Sequence, residues 1–290
     1  MIPNAFDYHA PKTLARALAL LKQHGRKDAK VLAGGHSLIP LMKLRLAAPG
    51  VVVDLGRIPG LNAIKESKGK ITIGAMATHY ALESSDLLKK LCPLLPETAG
   101  EIGDAQVRNR GTIGGSLAHA DPAGDWPAAI LALDAELEVA GPSRKRTIKA
   151  ANFFVDLMTT ALKRSEILTQ IRVPVAPARS GSAYVKMRQA ASGFAIVGVA
   201  AQVALNPDGT VASAAVGITG VSNVAFRARA TEEALLGKRP DEATLRAAAG
   251  RAIEGVEEFQ EDIHASADYR RHLTGVFTQR ALAKAVSRIR

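Results

Sequence analysis

Two short glycine-rich stretches hold the residue types that could do chemistry. Ala33-Gly34-Gly35-His36-Ser37 follows the apolar pair Val31-Leu32. About eighty residues later comes Thr112-Ile113-Gly114-Gly115-Ser116, with Asp121-Pro122-Ala123-Gly124-Asp125 shortly after it. Glycine has no Cβ, so its backbone amide can come close to an anion, and a helix that starts just beyond such a turn adds its positive end. Ser37 can cap that helix or donate to a phosphate oxygen. Neither stretch is a G-x-G-x-x-G fingerprint, and neither runs into the Gly-Lys-Ser/Thr of a P-loop, so both common nucleotide motifs are excluded. Two Gly-Gly loops, each ending in a hydroxyl residue, suit the two sides of one pyrophosphate, with Asp125 left to accept hydrogen bonds from ribose or ribityl hydroxyls.

The remaining reactive side chains offer less. His119 and Asp121 lack a third metal ligand at recognisable spacing and read as loop-capping or hydrogen-bonding groups. His36 reads as a donor beside a phosphate-binding turn or as a loop histidine. No Ser/His/Asp or Cys/His arrangement has usable spacing for nucleophilic catalysis. Cys92 is the single cysteine of 290 residues and reads as a packed thiol. One cysteine excludes an internal disulfide and any cysteine-only zinc or iron-sulfur site within the chain, so such clusters would have to come from a partner. The formal charge of +11 could attract nucleic acid, an acidic partner or an anionic cofactor. The basic clusters "PSRKRTIK" and "KLRL" are short and free of aromatics, and aromatic residues make up only 4% of the chain, which argues against nucleic acid.

These residues need elements to position them. Leu14, Ala17, Leu18 and Leu21 recur at helical spacing between Pro11 and Gly25. "AKVLAGG" reads as a buried strand, followed by strands at "VVVDLGRI" and "GKITIGAMAT". "HYALESSDLLKKLCPLLPETAGEI" is helical with a proline interruption, and "AELEVAG" and "SEILTQIRVPVAP" are strands. "APARSG" is the best linker, placing a boundary near residues 176 to 180. Beyond it, "SAYVKMRQ", "FAIVGVAAQVAL" and "VASAAVGITGV" read as strands joined at the hairpin turn "NPDGT", and the tail from Thr231 as alanine-rich amphipathic helix. Strands followed by helices give a small α+β domain. The first residues carry no signal-like pattern and no apolar run reaches membrane-spanning length, so a soluble cytoplasmic protein is expected.

With the motifs in this order, the sequence resembles the FAD-carrying medium subunit of molybdenum hydroxylases, the aerobic carbon monoxide dehydrogenase and xanthine dehydrogenase group. The resemblance rests on "AGGHSLIPLMKLRLAAPGVVVDLGRI", "VRNRGTIGGSLAHADPAGDWPA", "SEILTQIRVP" and "YVKMRQAASGFAIVGVAA". It implies an α+β chain: a two-lobed FAD-binding domain of the vanillyl-alcohol-oxidase (PCMH) type over residues 1–177, with lobes of about 1–58 and 59–177, followed by a smaller C-terminal flavoprotein domain of antiparallel sheet and helices over residues 178–290. It also implies the site. Ala33, Gly34, Gly35, His36 and Ser37 would hold the FAD pyrophosphate from one side, led into by Val31 and Leu32. Thr112, Ile113, Gly114, Gly115 and Ser116 would hold it from the other. Asp125, Leu168 and Lys186 match further FAD-contacting positions, and Ile102 would flank the adenine.

The same resemblance implies partners: a large subunit with a molybdenum-pterin cofactor, a small subunit with two [2Fe-2S] clusters, and assembly as a dimer of heterotrimers. Electrons would pass through the clusters to FAD and on to quinone, oxygen or NAD, with no catalytic residue needed on this chain. "RQAASGF" lacks the tyrosine with which some relatives cover the flavin. Two alternatives stand beside this reading: a stand-alone flavin oxidase of the same FAD-domain type, and a non-catalytic flavin-binding assembly protein.

Overall fold

The computed structural model describes residues 1–289. The first lobe contains β1 (Asp7–His9), α1 (Leu14–Gln23), β2 (Lys30–Leu32), α2 (Leu38–Lys43) and β3 (Val51–Asp54). Its three strands are parallel in the order β1-β3-β2. Thr13 caps α1 by accepting from Arg16 N, and Ala17, Leu18, Leu20 and Leu21 bury one face of that helix against Val51 and Val53. Strand β2 departs from the buried strand expected there. It lies at the sheet edge and its residues stay exposed or half-buried, because one of its sides is left to a cleft.

The second lobe holds β4 (Ile64–Ser67), β5 (Lys70–Gly74), six short helices and then further strands. The helices are α3 (His79–Ser84), α4 (Asp86–Leu91), α5 (Leu94–Gly100), α6 (Ala105–Arg110), α7 (Ile113–His119) and α8 (Trp126–Ala132). The strands are β6 (Glu136–Ala140), β7 (Lys145–Lys149), the small pair β8 (Phe154–Asp156) and β9 (Thr159–Thr160), and β10 (Ile167–Pro174). An antiparallel five-stranded sheet runs in the order β4-β5-β10-β6-β7. Cys92 lies in the core of this lobe, where burial pushes its thiol up to about 12, so it stays protonated and inert.

The last part is an antiparallel sheet of β11 (Ser180–Arg188), β12 (Ala195–Leu205), β13 (Val211–Thr219) and β14 (Phe226–Arg227), backed by α9 (Arg229–Leu235), α10 (Glu242–Ala249) and α11 (Ala267–Ser287). The tail is therefore three helices, with turns and irregular chain between Gly250 and Ser266. Every residue of α8 is buried, since the helix packs between the second lobe and this sheet. Gly217 permits that contact: a Cβ there would lie 2.1 Å from the Ala128 carbonyl oxygen. None of the described helices is long and apolar enough to cross a membrane.

Candidate functional site

A cleft of about 670 Å³ is bordered by the first and second lobes and by the 192–194 segment of the last part. This volume is in the ordinary range for a small-molecule or cofactor site. Val31, Ala33, Gly34, Gly35, His36 and Ser37 line it from the first lobe, and Ile102, Thr112, Gly114, Gly115, Ser116, Asp125 and Leu168 from the second. Leu32, Ile113 and Lys186 do not. Leu32 ends β2 and turns its side chain toward Gly35, Ile113 is wholly buried in the core, and Lys186 is buried behind the wall.

The Ala33–Ser37 turn is a donor surface. Among the described residues, the backbone N–H groups of Ala33, Gly34, Gly35, His36, Ser37 and Leu38 donate to no protein acceptor. Gly35 has φ +82°, a conformation that suits glycine, and its carbonyl starts α2 by accepting from Ile39 N at 3.0 Å. Of the two roles expected of Ser37, capping α2 is not realised: its backbone is already helical and its hydroxyl makes no capping bond, which leaves Oγ free at the cleft. Residues 33–38 are half-buried or exposed, so these six amides are left to water or a ligand, and an anion is the ligand such a concavity suits.

The second stretch is not the loop expected from its sequence. Thr112 caps helix α7, and Gly114 and Gly115 form its first turn. Its amides already have partners: Ile113 N donates to Ala77 O at 3.0 Å, Gly114 N to Ala75 O at 2.9 Å and Gly115 N to Thr112 Oγ1 at 3.1 Å. The glycines serve packing. A Cβ on Gly114 would lie 2.4 Å from Ala75 Cβ, one on Gly115 would lie 3.3 Å from Ala33 Cβ, and one on Gly34 would lie 2.1 Å from the Arg110 carbonyl oxygen. The two stretches thus need glycine to approach each other and the sheet behind them. Access for a ligand is not what forces glycine at these three positions, a correction to the expectation that all four glycines clear the way for an anion.

At the cleft wall, Asp125 is buried at the start of α8, accepting from Tyr184 Oη and from Lys186 Nζ, the latter at 3.1 Å. Burial pushes its carboxyl up to about 6 against the opposing pull of Lys186 and the Tyr184 hydrogen bond. The Lys186 ammonium also donates to the carbonyls of Glu101, at 2.7 Å, and Gly193, at 2.8 Å. Its three protons are then fully engaged with protein, so Lys186 supports the wall and does not reach into the cleft. His79, which no sequence pattern singled out, also lines the cleft and accepts from the indole of Trp126, the single tryptophan, at 3.1 Å. His79, Tyr184 and Trp126 were missed because their partners are 47 and 59 residues away.

The architecture has close counterparts. Residues 4–176 match the family model described as FAD binding domain in molybdopterin dehydrogenase, and residues 182–285 match the CO dehydrogenase flavoprotein C-terminal domain. The chain belongs to the FAD-binding subunits of the molybdopterin dehydrogenase family. It is 42% identical to the carbon monoxide dehydrogenase medium chain of Hydrogenophaga pseudoflava over 289 residues, covering 99% of both chains. It is 36% identical to the 6-hydroxypseudooxynicotine dehydrogenase complex subunit alpha of Paenarthrobacter nicotinovorans, covering 100% of this chain and 97% of that one. The solved structure of carbon monoxide dehydrogenase from Hydrogenophaga pseudoflava, in a form lacking the Mo-pyranopterin moiety, superposes with a TM-score of 0.96 at 43% identity and full coverage of both chains. The chain is accordingly the FAD-carrying medium subunit of an oxidoreductase of the molybdenum hydroxylase type.

The residues present fit FAD. An anionic middle would meet the unpaired amides of residues 33–38, and apolar walls are supplied by Val31, Ile102, Leu168 and others along a cleft long enough to touch both lobes.

Proposed function

We propose that this chain is the electron-transfer subunit of a three-subunit molybdenum hydroxylase, holding FAD between the iron-sulfur clusters of a small subunit and an external acceptor. The observation that carries this reading is the run of six unpaired amides at residues 33–38, set in a cleft of cofactor size. Ala33, Gly34, Gly35, His36 and Ser37 hold the pyrophosphate through their amides, with the hydroxyls of Ser37 and Ser116 as further donors. Val31, Ile102 and Leu168 supply apolar contact. Asp125, both of whose oxygens already hold protein donors, fixes the start of α8 at the cleft edge. Leu32, Ile113 and Lys186 act from behind, by setting the turn, the helix and the wall. Bound FAD supplies the step between single-electron donors and a two-electron acceptor, quinone, oxygen or NAD; the protein's share is position and electrostatics.

A large molybdopterin subunit and a small subunit with two [2Fe-2S] clusters complete the enzyme as a dimer of heterotrimers in the cytoplasm. The single cysteine supports this division, since the chain cannot itself ligate a four-cysteine cluster. Two domains, 1–177 and 178–290, join in the irregular segment between β10 and β11. The test is direct. Purified full chain is expected to bind FAD and, together with its partner subunits, to have that FAD reduced by the holoenzyme's substrate. A chain with no affinity for FAD would overturn the reading, and substrate turnover by the isolated chain would favour a stand-alone oxidase.

A further inference from the structure

His79 is a polar group that the roles assigned above leave unused. The residue is 4% exposed and borders the cleft, and its two ring nitrogens face different surroundings. Nδ1 accepts from Trp126 Nε1. An indole N–H can only donate, so Nδ1 carries no proton and the neutral ring keeps its proton on Nε2. Among the described residues Nε2 has no hydrogen-bond partner, and it is not sealed away from the cleft. The space at that ring edge exists because residue 111 is glycine: a Cβ there would lie 2.7 Å from Nε2 and 2.9 Å from Cδ2. Gly111 in turn packs against the first turn, since a Cβ on Gly34 would lie 2.8 Å from Gly111 Cα. Gly111 thus touches both the Nε2 edge and the turn that carries the six unpaired amides.

We infer that His79 is a further binding residue of this site, a neutral Nε2–H donor to an anionic oxygen of the FAD pyrophosphate. The inference rests on the FAD reading proposed above. Burial, followed by the charges of His36 and Arg108, lowers the pKa of His79 to about 4, so at neutral pH the ring stays a one-proton donor and binding requires no proton uptake. The Trp126 indole fixes which nitrogen donates, in the way an outer partner orients a metal-binding histidine. The unpaired amides of the turn that Gly111 packs against favour a phosphate oxygen over a neutral carbonyl as its acceptor.

Two variants of the full chain separate binding from packing. In His79→Asn the amide occupies the place of Nδ1, keeps an acceptor for Trp126 and loses the donor facing the cleft. In His79→Gln the amide occupies the place of Nε2 and keeps that donor. Titrating flavin-free protein with FAD is expected to show His79→Asn binding about ten- to a hundredfold more weakly than wild type, with His79→Gln within about threefold of it. The opposite order, or equal losses in both, would mean that the ring only packs and would overturn the inference, as would unchanged affinity in both. In wild-type protein the histidine ¹⁵N–¹H signal of Nε2 is expected to shift on addition of ADP, which carries a pyrophosphate, and to stay put with adenosine; the same response to both probes also overturns it. Wild-type chain that fails to bind FAD at all would refute the flavin reading itself, a separate outcome.

Discussion

At Gly34 and Gly114 the missing side chain is what lets backbone meet backbone. Gly114→Val and Gly34→Ala force atoms into Ala75 and the Arg110 carbonyl. Each is expected to lower unfolding stability by about 1–3 kcal/mol and to reduce flavin content with it. Gly193→Ala, at φ +74° but with nothing within 4 Å of the added carbon, is expected to cost about 1 kcal/mol of backbone strain and no more. Urea midpoints and flavin-to-protein ratios check both; flavin loss at full stability in Gly114→Val would restore direct ligand access as the reason for that glycine. His79 adds a pH dependence. Its folded pKa of about 4 lies below the ordinary 6.5, because burial, with His36 and Arg108, disfavours the charged ring. Below pH 6.5 the unfolded chain takes up a proton that the folded chain refuses. The stabilisation is thus complete above 6.5 and lost as the pH falls toward 4, by about 3 kcal/mol in all. Urea unfolding at pH 7.5 and 4.5 is expected to show a smaller drop in His79→Gln than in wild type, and equal drops would contradict this.

Among the elements, α2 and α7 begin with hydroxyl residues that look alike in sequence and behave differently. Thr112 accepts from Gly115 N as a cap, whereas Ser37 caps nothing. Thr112→Ala is expected to cost about 1 kcal/mol of stability. Ser37→Ala is expected to change stability by less than about 0.5 kcal/mol while weakening FAD binding several-fold, about 1 kcal/mol for one hydrogen bond. Thermal unfolding and flavin titration of the two variants separate the roles. The helix at Ile113–His119 was not legible in the sequence because two adjacent glycines are poor helix formers. Its place is decided by close packing on Ala75, a contact between residues 39 positions apart that no local pattern displays. Strand β2 shows the same limit: Val31-Leu32 is apolar enough to read as buried, and only the cleft on its far side makes it half-exposed.

Across the whole molecule, polar contacts tie the last sheet and the C-terminal helix to the second lobe. Lys186 and Tyr184 of β11 hold Asp125, the single Thr219 hydroxyl lies within hydrogen-bond distance of the carbonyls of Pro122 and Gly124, at 2.7 and 2.8 Å, and Lys284 and Arg288 near the chain end pair with Glu97 at 2.7 and 2.6 Å. Lys186→Met removes the partner of a buried carboxylate. Stability is expected to fall by about 3–5 kcal/mol, with faster proteolytic cutting in the segment between Pro174 and Ser180. Stability equal to wild type would mean that Asp125 already stands neutral in the folded protein. By itself the sequence determined the α+β class, eight strands and most helices, but not β1, β4, β7, β8, β9 or β14, together with the two glycine stretches and the family, because hydrophobic period, turn residues and linear motifs are local properties of the chain. Which amides stay unpaired, which glycines serve packing, and which of His79, Ser37 and Lys186 face the cleft were decided only by the tertiary structure. Each depends on what a distant segment brings within hydrogen-bond or van der Waals distance, and sequence spacing does not encode that distance.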